Sequence, residues 1–255
     1  MTIDCTILVA VDREHLAELQ IAWPTWATLK PELRDWLMLV MVDGSLRFGG
    51  GEWLAEAVWS IIGHRPNTTI RAWDWGIELP QRERMLTALV RAAEWIETPW
   101  FLKADTDCLA TSAGRWFEPW WLSGDPAPAF IASPWGYSKP ADAIQRLDDW
   151  GDCTTGIREF RRLALPYDPQ ARLVKHKRII SWLMFGRTEW ARRMSALAPD
   201  RLPVPSQDGF LWYCAARRGD FYRTIRMSQF GWSHVSGGGI EKLRRVAGEV
   251  LAKAA

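Results

Sequence analysis

Residues 99–109 read Pro-Trp-Phe-Leu-Lys-Ala-Asp-Thr-Asp-Cys-Leu. The apolar run at residues 100–102 is too short for a helix and leads to Asp105 and Asp107, so it predicts a buried strand ending in two carboxylates. Side chains two apart on an extended chain point to the same side, and a divalent cation between them would offset their repulsion. The alternative is a pair of solvated loop acids, because Asp-x-Asp is short enough to occur by chance.

Strand and helix patterns alternate along the chain before this stretch. The predicted strands cover residues 6–11, 36–42 and 68–73, and the predicted helices begin near Leu16 with an interruption at Pro24, begin at Glu52, and cover residues 81–97. Alternation of this kind predicts an α/β fold with a mainly parallel sheet flanked by helices.

The chain changes character after residue 109. We predict an aromatic segment at 115–122, strands at 129–132, 178–185 and 221–227, helices beginning near Thr188, Ser206 and Glu241, and an irregular insertion at 133–177 over the sheet's edge. No boundary demands two independent folds. We therefore expect one domain over residues 1–255, with a nucleotide-binding half at 1–109 and an acceptor-side half at 110–255.

Composition excludes some classes of function. Lys and Arg total 32 against 30 Asp and Glu, a net charge of +2, which gives no electrostatic case for binding nucleic acid or an anionic membrane. The four cysteines contain no Cys-x-x-Cys pair and predict reduced thiols rather than a zinc knuckle. No apolar run reaches transmembrane length and the amino terminus does not resemble a signal peptide, so we expect a cytoplasmic protein.

Acids recur where predicted strands end. Asp12 and Asp43 follow the first two strands, as Asp105 and Asp107 follow the strand at 100–102, and Asp208 opens a later helix. Parallel strands connected by right-handed crossovers place their carboxyl ends on one edge, where such acids would line a single crevice. Taken singly, Asp43 is as well explained as a turn former, and Asp208 as a helix N-cap.

At this point the order of motifs resembles the nucleotide-sugar glycosyltransferases of GT-A fold, especially their family-2-like members. The motifs that carry the resemblance are Val42-Asp43-Gly44-Ser45, Asp105-Thr106-Asp107, Gln207-Asp208 and Gly231-Trp232-Ser233-His234. Two of them depart from the usual pattern: one acid stands in the turn after the second strand where many members have two, and Gln207 replaces a glutamate.

The resemblance implies transfer of a sugar from a nucleoside-diphosphate donor, a UDP-sugar by preference, to a carbohydrate or other hydroxyl acceptor with inversion. It implies Mn²⁺ or Mg²⁺ as cofactor, held by Asp105, Asp107 and His234. Gly231 and the glycines at 237–239 would let the loop that carries His234 fold back over the crevice. Asp208 would be the general base. The remaining candidates are Val11, Asp12, Asp43, Arg84 and Asp105 for the nucleotide sugar, and Trp135 and Trp182 beside the acceptor.

Two other functions stay open. A GT-A-like domain that binds nucleotide sugar or glycan without transfer is compatible with Gln207 and the single turn acid. A haloacid-dehalogenase-type phosphatase also uses Asp-x-Asp, but it normally places that motif near the amino terminus, and Leu109 stands here where a Thr or Val is usual. His15 and His64 fall in helical stretches, where surface exposure or ordinary packing is the default.

Overall fold

The computed structural model of the chain describes residues 4–45, 50–74, 91–113, 128–137, 177–197, 223–235 and 239–254. The strands are β1 (Cys5–Val11), β2 (Leu37–Asp43), β3 (Thr68–Trp73), β4 (Trp100–Ala104), β5 (Cys108–Ala110), β6 (Phe130–Tyr137), β7 (Lys177–Arg187), β8 (Arg223–Thr224) and β9 (Trp232–His234). The α-helices are α1 (Leu16–Leu29), α2 (Gly51–Ile62), α3 (Thr188–Leu197) and α4 (Gly239–Ala254), with 3₁₀ turns at Pro31–Asp35 and Met227–Phe230.

Seven strands form one sheet in the order β3-β2-β1-β4-β7-β6-β8. The pairs β3–β2, β2–β1, β1–β4 and β6–β8 are parallel, whereas β7 runs antiparallel to both β4 and β6. The predicted mainly parallel α/β sheet flanked by helices is therefore confirmed, and β1, β2 and β4 place their carboxyl ends along one edge.

A second, two-stranded sheet lies over that edge, where β5 pairs antiparallel with β9. The α1 helix and Lys30, the residue after it, contact β5, β9 and the turn before β9. The Trp26 indole donates a 2.7 Å hydrogen bond to the Cys108 carbonyl, and the fully buried Lys30 ammonium donates to the Phe230 carbonyl at 3.0 Å. The Trp26 and Trp232 rings pack edge to face with centroids 5.8 Å apart. We call this pair of strands the β5–β9 ribbon.

The helix at residue 16 corrects one sequence prediction. Pro24 does not end it, because α1 continues to Leu29 and buries Trp23 and Trp26 on both sides of the proline. Burial of these large rings outweighs the one helical hydrogen bond that proline removes.

Three other boundaries differ from the prediction. Residues 81–90 of the helix expected at 81–97 lie outside the described residues. Residues 93–95 form a turn closed by short-range hydrogen bonds to the Arg91 and Ala92 carbonyls, so the helix ends before residue 97. The expected insertion begins later than 133, because β6 extends to Tyr137 and accommodates Pro134 through shifts in register. Of the strand expected at 221–227, residues 221–222 lie outside the described residues and Met227 begins a 3₁₀ turn. The described strand is Arg223–Thr224, which pairs with Ile131 and Ala132 of β6.

Candidate metal and nucleotide site

The turn after β4 holds Asp105 and Asp107 in a fixed backbone frame. The Asp105 N–H donates to the Trp182 carbonyl of β7 at 2.8 Å, and the Cys108 N–H donates to the Asp105 carbonyl at 3.1 Å. The first bond ties the start of the turn to β7 and the second closes the turn. The two carboxylates remain partly open to solvent, with 29% of the Asp105 side chain and 23% of the Asp107 side chain exposed.

His234 lies on a strand rather than on a free loop. It stands opposite Cys108 in the β5–β9 ribbon, and its Nε2 lies 3.0 Å from Asp107 Oδ2. The Trp182 indole stacks on the imidazole, with ring centroids 5.8 Å apart and planes 6° from parallel. This corrects the expectation of a glycine-flanked loop over the crevice, because pairing with β5 satisfies the backbone and already places His234 beside Asp107.

Asp105, Asp107 and His234 form what we call the acid–histidine cluster. One ligand atom from each lies within 4.8 Å of the others. Carboxylate oxygens with one imidazole nitrogen suit Mn²⁺ and, less well, Mg²⁺, so the donor set fits a divalent cation. Burial opposes the charged form of His234, but the hydrogen bond and charge of Asp107 outweigh it and raise the pKa of His234 above its ordinary value. A proton and a metal ion would therefore compete for this imidazole.

Lys103 is a member of the site that the sequence analysis missed. It lies two residues before Asp105 on the same face of β4, is 5% exposed, and forms an ion pair with Asp105 Oδ1 through its ammonium. The spacing of two along a strand was visible in the sequence. The burial that forces the ammonium to take a carboxylate as partner was not.

The loop between β1 and α1 is organised by Asp12. Its Oδ1 accepts hydrogen bonds from the backbone N–H groups of Glu14 at 2.8 Å and His15 at 2.9 Å, and it lies 2.6 Å from His15 Nδ1. Asp12 is only 2% exposed, and its Oδ2 has no hydrogen-bond partner among the described residues. Despite burial, which acts in the opposite direction, the contacts with His15 lower the pKa of Asp12 below its ordinary value.

A second contact missed from sequence joins α1 to the turn after β4. The Thr106 hydroxyl donates a 2.6 Å hydrogen bond to Glu18 Oε2. Burial, and the nearby charges of Asp107 and Asp105, raise the pKa of Glu18, although the Thr106 bond opposes that shift. The Glu18 carboxyl group therefore lies close enough to the acid–histidine cluster for the charges of Asp107 and Asp105 to act on it.

The turn after β2 is built in the same way as the Asp12 loop. Asp43 Oδ1 accepts a 3.0 Å hydrogen bond from the Ser45 N–H, and both residues are 2% exposed. Gly44 passes so close to β3 that a Cβ there would lie 3.0 Å from the Trp73 nitrogen, which explains the glycine. The Ser45 hydroxyl is buried without a partner among the described residues.

The structure gives less information about the other predicted site residues. Val11 ends β1 with its side chain wholly buried, so any ligand contact there would come from the backbone. Trp182 is 7% exposed, and its role beside an acceptor stays a prediction. Trp135 lies on β6, while Arg84 and Asp208 fall outside the described residues. Among the helices that the structure describes, none combines the length and apolar composition needed to cross a lipid bilayer.

Comparison with known proteins finds relatives in structure but not in sequence. No protein-family model matches the chain, and no curated protein matches its sequence. A crystal structure of the galactosyltransferase LgtC with donor and acceptor sugar analogues is similar, with a TM-score of 0.52 at 14% identity over 96% of this chain and 95% of that one.

Two further solved structures share the architecture. Mouse xyloside xylosyltransferase 1 matches with a TM-score of 0.50 at 10% identity, over 88% of this chain and 85% of that one. A mannosyltransferase from Pyrobaculum calidifontis with GDP-Man and Mn²⁺ matches with a TM-score of 0.50 at 14% identity, over 98% of this chain and 62% of that longer one. At such identities the likeness concerns the fold alone, and on that ground the chain has the GT-A fold of nucleotide-sugar glycosyltransferases.

Proposed function

We propose that this protein is a cation-dependent glycosyltransferase that moves a sugar from a nucleoside-diphosphate donor to a hydroxyl acceptor. The observation that carries the proposal is the acid–histidine cluster, with ligand atoms from three residues within 4.8 Å of one another at the carboxyl end of β4. The GT-A fold supports it, since the similar structures are described as glycosyltransferases and one of them holds GDP-Man and Mn²⁺.

In this proposal Asp105, Asp107 and His234 hold the cation, Mn²⁺ or Mg²⁺. When bound, the cation supplies positive charge to the departing diphosphate. The carboxyl ends of β1 and β2, beside the cluster, bind the nucleoside. Asp12 Oδ2 and Ser45 Oγ are buried polar atoms without partners among the described residues, and a ligand with N–H or O–H groups would satisfy them. The Asp43 carboxylate, which fixes its own turn, stands beside them.

The resemblance to GT-A glycosyltransferases also suggests roles for residues to which the geometry of the described site assigns none. Asp208 is proposed as the general base, Arg84 as a contact to phosphate or ribose, and Trp135 with Trp182 as walls of the acceptor pocket. The division into a nucleotide-binding half at 1–109 and an acceptor-side half at 110–255, a UDP-sugar donor, inversion at the anomeric carbon and a cytoplasmic location belong to the same proposal.

A panel of UDP- and GDP-sugars tests the function directly. We expect one donor to raise the melting temperature only when Mn²⁺ is present, and the same donor to be hydrolysed or transferred to an acceptor by the purified protein. Stabilisation without any turnover would favour a GT-A-like binding domain. Cleavage of p-nitrophenyl phosphate, with no response to any nucleotide sugar, would replace the proposal with a phosphatase.

A further inference from the structure

The ion pair between the buried Lys103 and the half-buried Asp105 lies at the carboxyl end of β4, the middle strand of the sheet. Lys103 lies on β4, opposite Leu8 of β1 and Met184 of β7. Its side chain is 6% exposed, compared with 29% for Asp105. A buried ammonium is costly without an anion, so Lys103 requires a carboxylate at this position in the apo protein.

This pair places a lysine ammonium against one of the proposed metal ligands. A divalent cation bound at Asp105 would meet the Lys103 ammonium on the same carboxylate, and like charges at such separations repel strongly in a partly buried site. Asp105 in turn belongs to the acid–histidine cluster, in which one ligand atom of each residue lies within 4.8 Å of the others. The ammonium beside Asp105 therefore lies next to the whole cluster.

The same charge has the opposite effect on an anionic ligand. The formal charges of Asp105, Asp107 and Lys103 sum to one negative charge, and the Glu18 carboxyl group lies nearby through its bond to Thr106. A diphosphate brought up to these carboxylates without compensation would be repelled. A lysine ammonium beside the cation reduces that repulsion, as lysine does in other phosphate sites.

We propose that Lys103 is a specificity-determining residue that makes the site select the cation together with a nucleoside diphosphate over the free cation. The inference rests on the proposed function, because it assumes that the acid–histidine cluster holds a cation and that the donor carries a diphosphate. It goes further by assigning to Lys103 opposite effects on the two ligands. A merely structural lysine would not produce that sign pattern.

Calorimetry with Mn²⁺ alone, and with UDP at saturating Mn²⁺, tests the assignment. Lys103→Met should bind Mn²⁺ alone about tenfold more tightly and bind UDP about tenfold more weakly, the scale expected for one unit charge in a partly screened site. Lys103→Gln removes the charge but keeps a hydrogen-bond donor toward Asp105, so it should follow Lys103→Met. It also provides a folded neutral variant if methionine is not tolerated.

Lys253→Met is the matched control, because it removes one positive charge from the exposed last turn of α4. It should change neither affinity by more than about twofold, since exposed charges are screened by salt. If the neutral Lys103 variants weaken both ligands together, or change neither, the inference is wrong and the proposed function stands. If the wild-type protein shows no Mn²⁺-dependent binding of UDP, the proposed cation role fails, and the inference fails with it.

Discussion

Two parts of the same sheet edge hold their carboxylates in different ways. After β1 and β2, Asp12 and Asp43 accept hydrogen bonds from the backbone of their own turns, and Asp12 also contacts the His15 side chain of its own loop. After β4, Asp105 and Asp107 lie against the side chains of Lys103 and His234. Backbone bonds make an acid part of the fold, whereas side-chain partners can be exchanged for a ligand. The β1–β2 end therefore forms the frame of the proposed site, and the β4 end is where a cation can enter.

The largest effect expected from this difference is at Asp107. Asp107→Ala should weaken Mn²⁺-dependent UDP binding by about a hundredfold or more, because it removes a charged ligand from a three-residue set. The melting temperature should change little, since the side chain is 23% exposed and its partner His234 is another member of the cluster. Calorimetry and thermal melting measure the two quantities, and unchanged UDP affinity in a folded variant would reject the metal assignment.

Substitution of Asp12 should show the reverse pattern, with a larger effect on the stability of the fold than on the affinity for the cation and UDP. Asp12→Ala leaves the N–H groups of Glu14 and His15 without their acceptor, and we expect a loss of about 1–3 kcal/mol in the free energy of unfolding. Asp12→Asn is the matched control, because its amide oxygen can still accept both bonds, and it should recover most of that stability. Urea unfolding of the two variants decides the point, and an Asp12→Ala protein as stable as the wild type would break the distinction between the two ends.

Trp182 offers a finer test, because its ring and its backbone serve different partners. The carbonyl holds Asp105 and Cys108, whereas the indole packs on His234. Trp182→Leu keeps the backbone bonds and removes the stacking of the indole on the imidazole. We therefore expect the Mn²⁺-dependent affinity for UDP to fall about fivefold, close to 1 kcal/mol.

Trp190→Leu is the control for the loss of a buried indole. Trp190 lies on α3 and packs on Phe130 with ring centroids 5.2 Å apart. Both variants should melt at lower temperature, since each removes a large buried side chain. Only Trp182→Leu should lose affinity for the cation and UDP, and equal affinity losses in the two variants would show that the effect is a general loosening of the fold.

The sequence was most informative where local pattern and connectivity decide the structure. The bounds of β3 were predicted without error at residues 68–73, and the parallel pairing of β1 with β2 and with β4 agrees with the predicted alternation of strands and helices. The strand end carrying Asp105 and Asp107 was found because an apolar run stops at two acids.

Three of the four missed features depend on contacts or burial that distant parts of the chain create, and the fourth is local. His234 was expected on a loop because glycines surround it, but pairing with Cys108 makes it a strand residue. The Lys103 pair required knowledge of its burial in the centre of the sheet, and the Thr106 bond required the position of Glu18 on α1. His15 was set aside as an ordinary helical histidine, although it stands before α1 and contacts Asp12.

That contact between His15 and Asp12 gives the β1 end a dependence on pH. Burial opposes the charged form of His15, but the hydrogen bond and charge of Asp12, followed by the charges of Glu18 and Asp105, raise its pKa above the ordinary value of 6.5. The pKa of Asp12 is lowered below 3.8. A raised histidine pKa stabilises the fold fully below 6.5, and this is lost as pH rises through the folded-state pKa. A lowered carboxylate pKa stabilises it above 3.8, so the pair contributes most between these two values.

The smallest predicted effect is therefore a stability difference that changes with pH. His15→Gln should be less stable than the wild type by at most about 1 kcal/mol near pH 5.5, and the gap should shrink by about half or more near pH 9, where His15 is neutral. Urea unfolding of both proteins at the two pH values measures it, and other titrating groups largely cancel because the proteins share them. His64→Gln is the control, since His64 is exposed and stacks on Trp59 at 5.0 Å. If the difference in the free energy of unfolding between His15→Gln and the wild type stays constant from pH 5.5 to pH 9, the two side chains are joined by a neutral hydrogen bond alone. The charges of Asp12 and His15 would then contribute nothing to the stability of the β1 end.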